Sequence, residues 1–260
     1  MTDPGRAWYR PVDQEVAVFE HCYAQKLPLL LKGPTGCGKS RFVEAMAQSL
    51  GRPLITVACH DETSAADLLG RHLLIGGDTV WRDGPVTRAL REGALLYLDE
   101  FAEAREDVIV VLHPLTDHRR ELFLDRTGEL LRAPDQLMVV VSYNPGYRRG
   151  FKELKPSTRQ RFVSMSFSYP APRVEVEIVM HESGVAERDA KRLVALANKI
   201  RGLQELGLAQ SASTRLLVSA GALIREGLNP RLACDVAIVQ PLTDDPVLAE
   251  ALRDAANLVF

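Results

Sequence analysis

Eight consecutive residues, Gly33-Pro34-Thr35-Gly36-Cys37-Gly38-Lys39-Ser40, follow the apolar run Leu29-Leu30-Leu31 and precede a helical pattern of Phe42, Val43, Ala45, Met46, Ala47 and Leu50. Glycines let a backbone turn sharply and aim N–H groups at phosphate oxygens. The lysine neutralises oxygen charge and the serine hydroxyl ligates Mg²⁺. Strand, glycine-rich loop and helix in that order make a cradle for the β- and γ-phosphates of ATP or GTP; the loop alone leaves the base open. A second stretch, Ala94-Leu95-Leu96-Tyr97-Leu98-Asp99-Glu100, reads as an apolar strand ending in two acids. Asp99 then lies near the Mg²⁺, and Glu100 orients or deprotonates an attacking water.

Three further stretches carry chemistry. Asn144 follows the apolar run Leu137–Ser142, which places an amide at the carboxyl end of a strand beside the one ending at Asp99. Ligands bind at that edge of such sheets, where an amide can hold the attacking water or read the γ-phosphate. An Asn-Pro turn is the competing reading. Arg159 and Arg161, in Pro156-Ser157-Thr158-Arg159-Gln160-Arg161-Phe162, stand just before another strand, and a surface turn with solvated charges is the bland account of them. Ser213-Thr214-Arg215 opens a helix, with Ser or Thr as its cap. A cation in a first helical turn opposes the helix dipole, which makes sense if Arg215 faces an anion; an ordinary surface arginine is the alternative.

The elements that must position these residues are legible as a series. Val16, Phe19, Cys22 and Tyr23 mark a short helix within Trp8–Lys26, leading into the first strand. Pro53–Ala58, Ala94–Leu98, Leu137–Ser142 and Ser164–Phe167 supply four more strand candidates, the third and fourth apolar enough to be buried on both faces. Five strands separated by helices predict a parallel α/β sheet. After Pro170 and Pro172 the pattern is helical only, over 174–183, 187–206, 214–226 and 230–238. The chain therefore divides into an α/β nucleotide-binding domain, 1–170, and a small all-helical domain, 171–260. Leu73–Trp81 and Leu122–Leu131 each read as two short β segments, one about a Gly-Gly-Asp turn and one about Asp125–Gly128.

Composition bounds the rest. With 260 residues and 46% hydrophobic content the chain can bury a substantial core. Its longest apolar run is too short to cross a bilayer, and Met1-Thr2-Asp3-Pro4 lacks a basic-then-apolar signal, so a soluble protein with a cytoplasmic address and no membrane insertion is expected. A formal charge of −2 and a pI near 6.3 give no global attraction to nucleic acid. The four cysteines, Cys22, Cys37, Cys59 and Cys234, show no metal spacing and read as reduced and buried, apart from Cys37, which the loop leaves open to thiol reagents. His113 and His118 are five apart and do not stack on one helix face, and His60-Asp61-Glu62 reads as a polar loop, so neither set is expected to hold a metal or do catalysis.

The phosphate loop, the strand ending Asp99-Glu100, the strand-end Asn144 and the Arg-Gln-Arg-Phe turn, in that order and followed by a helical lid, resemble an AAA+ ATPase. The resemblance implies that Arg161, or as second choice Arg159, acts as a finger in a neighbouring subunit's site, and that Arg215 is a lid sensor touching the γ-phosphate. It also implies a ring, commonly a hexamer. Residues 61–70 and 81–90, Asp-Glu-Thr-Ser-Ala-Ala-Asp-Leu-Leu-Gly and Trp-Arg-Asp-Gly-Pro-Val-Thr-Arg-Ala-Leu, are similar to the MoxR group, in the branch of CbbQ and NorQ. The likeness covers nearly the whole chain. Members of that branch act with a partner carrying a von Willebrand A domain to remodel inhibited Rubisco, as Rubisco activase ATPase subunits, or to mature nitric oxide reductase as metal-insertion chaperones.

These readings make the chain a Mg²⁺-dependent ATP hydrolase that remodels a protein, with Rubisco as the first target and nitric oxide reductase as the alternative. The two hairpins resemble pore insertions that grip a protein segment, although padding against a neighbouring subunit is an equal reading. A nucleic-acid motor is disfavoured by the acidic pI. A nucleotide-gated scaffold that binds without turnover is the remaining rival class.

Overall fold

The computed structural model describes residues 8–145, 153–202 and 211–260. Within the first expected helical segment only Glu15–Ala24 forms the helix, α1; the residues before it are drawn back onto its first side chain, Glu15 accepting from the backbone N–H groups of Val12 and Asp13, both at 2.7 Å. Strand β1, Leu29–Lys32, runs into the glycine-rich loop and then α2, Lys39–Ser49. β2, Leu54–Ala58, and a short α3, Ala65–Leu69, follow. Next come the antiparallel pair β3, Gly70–Ile75, and β4, Asp78–Asp83, then α4, Pro85–Glu92, and β5, Leu95–Asp99. α5, Glu106–Val111, leads to a second antiparallel pair, β6, Glu121–Leu124, and β7, Glu129–Arg132. β8, Met138–Tyr143, α6, Pro156–Arg159, and β9, Val163–Ser166, complete this part.

The five long-range strands form one parallel sheet in the order β2-β5-β8-β1-β9. Period-2 alternation sends Leu30, Leu96, Leu98, Val139 and Val141 into one core, and Leu29, Leu31, Leu95, Tyr97, Met138 and Val140 into another on the opposite face. Burial on both faces is why β1, β5 and β8 read as unbroken apolar runs. Ser164–Phe167 departs from that expectation. Among the described residues β9 pairs only with β1, at the edge of the sheet, and its residues alternate between half-buried and exposed, so its serines need not be covered.

Both expected hairpins are present. Gly76 and Gly77, at φ 63° and 95°, form the two-residue connection of β3 to β4, a turn that requires positive φ at both positions. The hairpin leaves Leu74 77% exposed, with Ile75 and Val80 also in solvent.

Contacts group the chain into two compact units: one contains the chain up to Gly33 together with Lys39–Phe167, the other Pro34–Gly38 together with Ser168–Phe260. The second is helical: α7, Pro172–Ser183; α8, Glu187–Gly202; α9, Thr214–Arg225; α10, Pro230–Cys234, which continues through a π-helical turn, Asp235–Val239, into α11, Gln240–Leu242; and α12, Pro246–Asn257. Residues 203–206, expected to extend α8, lie outside the described residues, as does the N-terminal Met1–Pro4. Leu193, Leu196, Ile200, Leu217, Ile238 and Leu252 are buried in its core.

Candidate nucleotide site

Parallel pairing aligns the carboxyl ends of β1, β5 and β8, and the chemistry-bearing residues of the first unit collect there. Lys39 opens α2. Its buried ammonium donates to the Gly33 carbonyl and to Asn144 Oδ1, both at 2.7 Å. The loop start, the helix start and the end of β8 are thereby tied to one cation. Ser40 Oγ lies 3.4 Å from Asp99 Oδ2 and 3.3 Å from the Tyr97 hydroxyl.

Asp99 is held on its other oxygen. Oδ1 accepts from the Tyr97 hydroxyl at 2.8 Å, from the Glu100 N–H at 3.1 Å, and from the Ser142 hydroxyl. Burial pushes the Tyr97 phenol well above its ordinary pKa, so it is a protonated donor at neutral pH. Glu100 itself is exposed, with its backbone left-handed at φ 53°, ψ 40°. Ser40 and Asp99 offer oxygen only, the donor type that a small hard cation takes, so the donor chemistry fits Mg²⁺. Among the described residues no group of three or more His, Cys, Asp or Glu side chains is disposed to hold a metal.

Residues expected to line the loop behave differently from one another. Cys37 is only 7% exposed, which corrects the expectation of an open thiol. The Tyr169 hydroxyl donates to the Thr35 carbonyl at 3.1 Å. Gly36 stands at φ 70°, and a Cβ added there would come within 2.6 Å of the Ser213 Cβ and 3.4 Å of the Arg215 Cβ. Ser213 caps α9 by accepting from the Leu216 N–H, and Arg215 stands exposed in the first turn. Thr214 turns the other way, donating at 2.6 Å to Glu175, which is fully buried and also takes both terminal nitrogens of Arg201 at 2.7 Å.

The two arginines before β9 are not joined to the Lys39 and Asp99 cluster by any hydrogen bond or ion pair among the described residues. Arg161 is half-buried. It donates to Asp117 at 3.1 Å, sharing that carboxylate with Arg119, while its Nε is buried without a hydrogen-bond partner. Arg119 first, then the neighbouring N–H and Arg161, hold Asp117 far below the usual carboxylate range. Arg159 is exposed at the end of α6. Sequence reasoning passed over Tyr97 and Ser142. The available signal was position: Tyr97 is two residues before Asp99 and so shares its face of β5, and Ser142 is a hydroxyl closing an aliphatic strand.

A parallel sheet with a glycine-rich phosphate-type loop after β1, an Asp-Glu pair after β5 and an asparagine after β8, followed along the chain by a helical unit, defines an AAA-type nucleotide-binding ATPase. An AAA domain family (dynein-related subfamily) matches residues 28–162, and a CbbQ/NirQ/NorQ C-terminal family matches residues 175–259. Protein NorQ of Paracoccus denitrificans is 59% identical over 97% of this chain and 94% of its own length. Protein CbbQ of Hydrogenophilus thermoluteolus is 56% identical over 97% and 95%. A solved RuvB variant of Thermotoga maritima aligns with a TM-score of 0.56 at 14% identity, covering 95% of this chain and 69% of that one, a likeness of fold alone. The chain belongs to the CbbQ/NirQ/NorQ branch of the MoxR-group AAA+ ATPases. No helix among the described residues is long and apolar enough to cross a membrane.

Proposed function

We propose that this ATPase assembles into a hexameric ring in the cytoplasm and couples Mg²⁺-dependent ATP hydrolysis to remodelling of a protein, together with a partner carrying a von Willebrand A domain. Rubisco blocked by tightly bound inhibitors is the first target. In this reading residues 1–170 form the nucleotide domain and 171–260 the lid. Gly33 to Gly38 wrap the phosphates and Lys39 neutralises them. Ser40 and Asp99 would hold Mg²⁺, which supplies charge neutralisation on the phosphate oxygens. Glu100 takes a proton from the attacking water, Asn144 orients that water or the γ-phosphate, and Arg161, with Arg159 second, and Arg215 stabilise charge developing on the transferred phosphoryl group.

The observation that carries the reading is the convergence of Lys39, Asn144, Ser40 and Asp99 through contacts of 2.7 Å and 3.4 Å at one edge of the sheet. Glu100→Gln removes the base and leaves the cradle intact. Steady-state phosphate release should fall by roughly 10²–10⁴ while ATP binding persists; unchanged hydrolysis would remove Glu100 from this role.

The target has a second reading, since identity to NorQ is 59%: maturation of nitric oxide reductase. Two assays separate them. Reactivation of inhibited Rubisco by the purified ATPase with its von Willebrand A partner and ATP supports the first. Failure there, with inactive nitric oxide reductase accumulating in cells lacking this chain, supports the second.

A further inference from the structure

Tyr97 is 1% exposed, and its ring fills the core cluster formed with Phe19, Phe42, Leu31 and Val140. A phenylalanine would occupy that volume without the need to satisfy a hydroxyl, and burying an unpaired hydroxyl costs about 1–3 kcal/mol. This hydroxyl is satisfied by the chemistry of the site: Ser40, Asp99 and Ser142 all lie within 3.3 Å of it. The geometry at Asp99 shows what that achieves. A carboxylate oxygen offers about two lone-pair directions, and Oδ1 already meets three donors, from Tyr97, Ser142 and the Glu100 N–H. The carboxylate therefore cannot rotate without breaking these hydrogen bonds, and Oδ2 is the oxygen turned toward Ser40.

We propose that Tyr97, seconded by Ser142, is a positioning residue that locks the Asp99 carboxylate with Oδ2 facing the Ser40 hydroxyl, so that the two oxygens which would take Mg²⁺ are set before nucleotide arrives. The inference rests on the reading of Ser40 and Asp99 given above. Groups that orient metal ligands from behind change affinity by about 10–100-fold when removed. Orientation by Tyr97 should therefore appear as metal affinity and leave the phosphate contacts of the loop untouched.

The test titrates Mg²⁺ into the full-length protein with a fluorescent ATP analogue, and in parallel titrates the analogue in excess EDTA. Tyr97→Phe should raise the Mg²⁺ half-saturation about tenfold, with EDTA-phase binding and melting temperature unchanged. Ser142→Ala reads the same network and keeps the test open if Tyr97→Phe folds poorly. The two changes combined should raise the half-saturation by less than the product of their separate effects, since both act through one oxygen. Asp99→Ala separates the layers of the argument. If it leaves the Mg²⁺ requirement unaltered, the assignment of Asp99 fails; if it abolishes the requirement while Tyr97→Phe and Ser142→Ala stay within twofold of the parent, Asp99 stands and the positioning role of Tyr97 is overturned.

Discussion

Glu100 holds a backbone conformation that costs a residue with a Cβ about 1–2 kcal/mol. The turn has a local return: it points the Glu100 N–H at Asp99 Oδ1 and Ser142 Oγ, so strain at one acid helps to fix its neighbour. Glu15 is a carboxylate of another kind, purely structural. Burial acts to raise its pKa, but hydrogen bonds from the Val12 and Asp13 N–H groups and the Tyr9 hydroxyl outweigh burial, and the net shift is downward from 4.5. A carboxylate depressed in the folded state binds fewer protons there than when unfolded. Its stabilisation is therefore complete above pH 4.5 and is lost as pH falls through the lower folded value. Urea midpoints between pH 7 and 3.5 should show a shallower acid loss for Glu15→Gln than for the parent, from a lower starting stability. The strand and helix flanking the glycine-rich loop were legible because the three lie contiguously in the sequence. The partners of Asp99 were not, because Tyr97 and Ser142 meet only once β5 and β8 pair in the register Tyr97 with Val140 and Leu98 with Val141.

At the scale of elements, the two hairpins share one anchor. Arg91, in the last turn of α4, donates to Asp83 at the end of β4 at 2.8 Å and through both terminal nitrogens to Glu129 at the start of β7 at 3.0 and 2.6 Å. Exposed ion pairs contribute little to global stability because solvent screens them and ordering long side chains costs entropy. Their effect is geometric, since a planar guanidinium fixes the directions of both acceptors. Arg91→Ala should leave the melting temperature nearly unchanged and speed amide hydrogen exchange in β3–β4 and β6–β7 together, measured by mass spectrometry; faster exchange in one hairpin alone would mean that they are held separately. The hairpins themselves could be read in advance from turn residues between short β-prone runs, as could the sheet strands from their apolar runs. The helical unit was only partly legible. α12 begins with a capping Asp245 before Pro246, a start signal that the periodicity over 174–238 does not reach. Nor does spacing reveal that Glu175, Arg201 and Thr214 meet, since they come from three helices and only packing unites them.

For the molecule as a whole, the question is where the cation opposite the phosphate comes from. Lys39 is committed to Gly33 and Asn144, and neither Arg159 nor Arg161 is linked to that cluster within the chain among the described residues. If an arginine completes the site from an adjacent copy, loss of the loop and loss of the finger must complement each other when carried on different subunits. Lys39→Ala keeps the finger, and Arg161→Ala keeps the loop. Each alone should hydrolyse ATP very slowly, since a finger is worth about 10³–10⁵ in rate. Mixed in equal amounts and allowed to reassemble, about a quarter of the interfaces in a closed ring pair an intact loop with an intact finger, and ATPase activity should return in that proportion. Repeating the mixture with Arg159→Ala in place of Arg161→Ala identifies the finger. Arg161 is pinned by Asp117 and buried at Nε, so if it is the one, Asp117→Ala should also depress hydrolysis, by loosening its aim. If Arg159 is the one, Asp117→Ala should be neutral, and no recovery from either mixture would mean that each site is completed within its own chain.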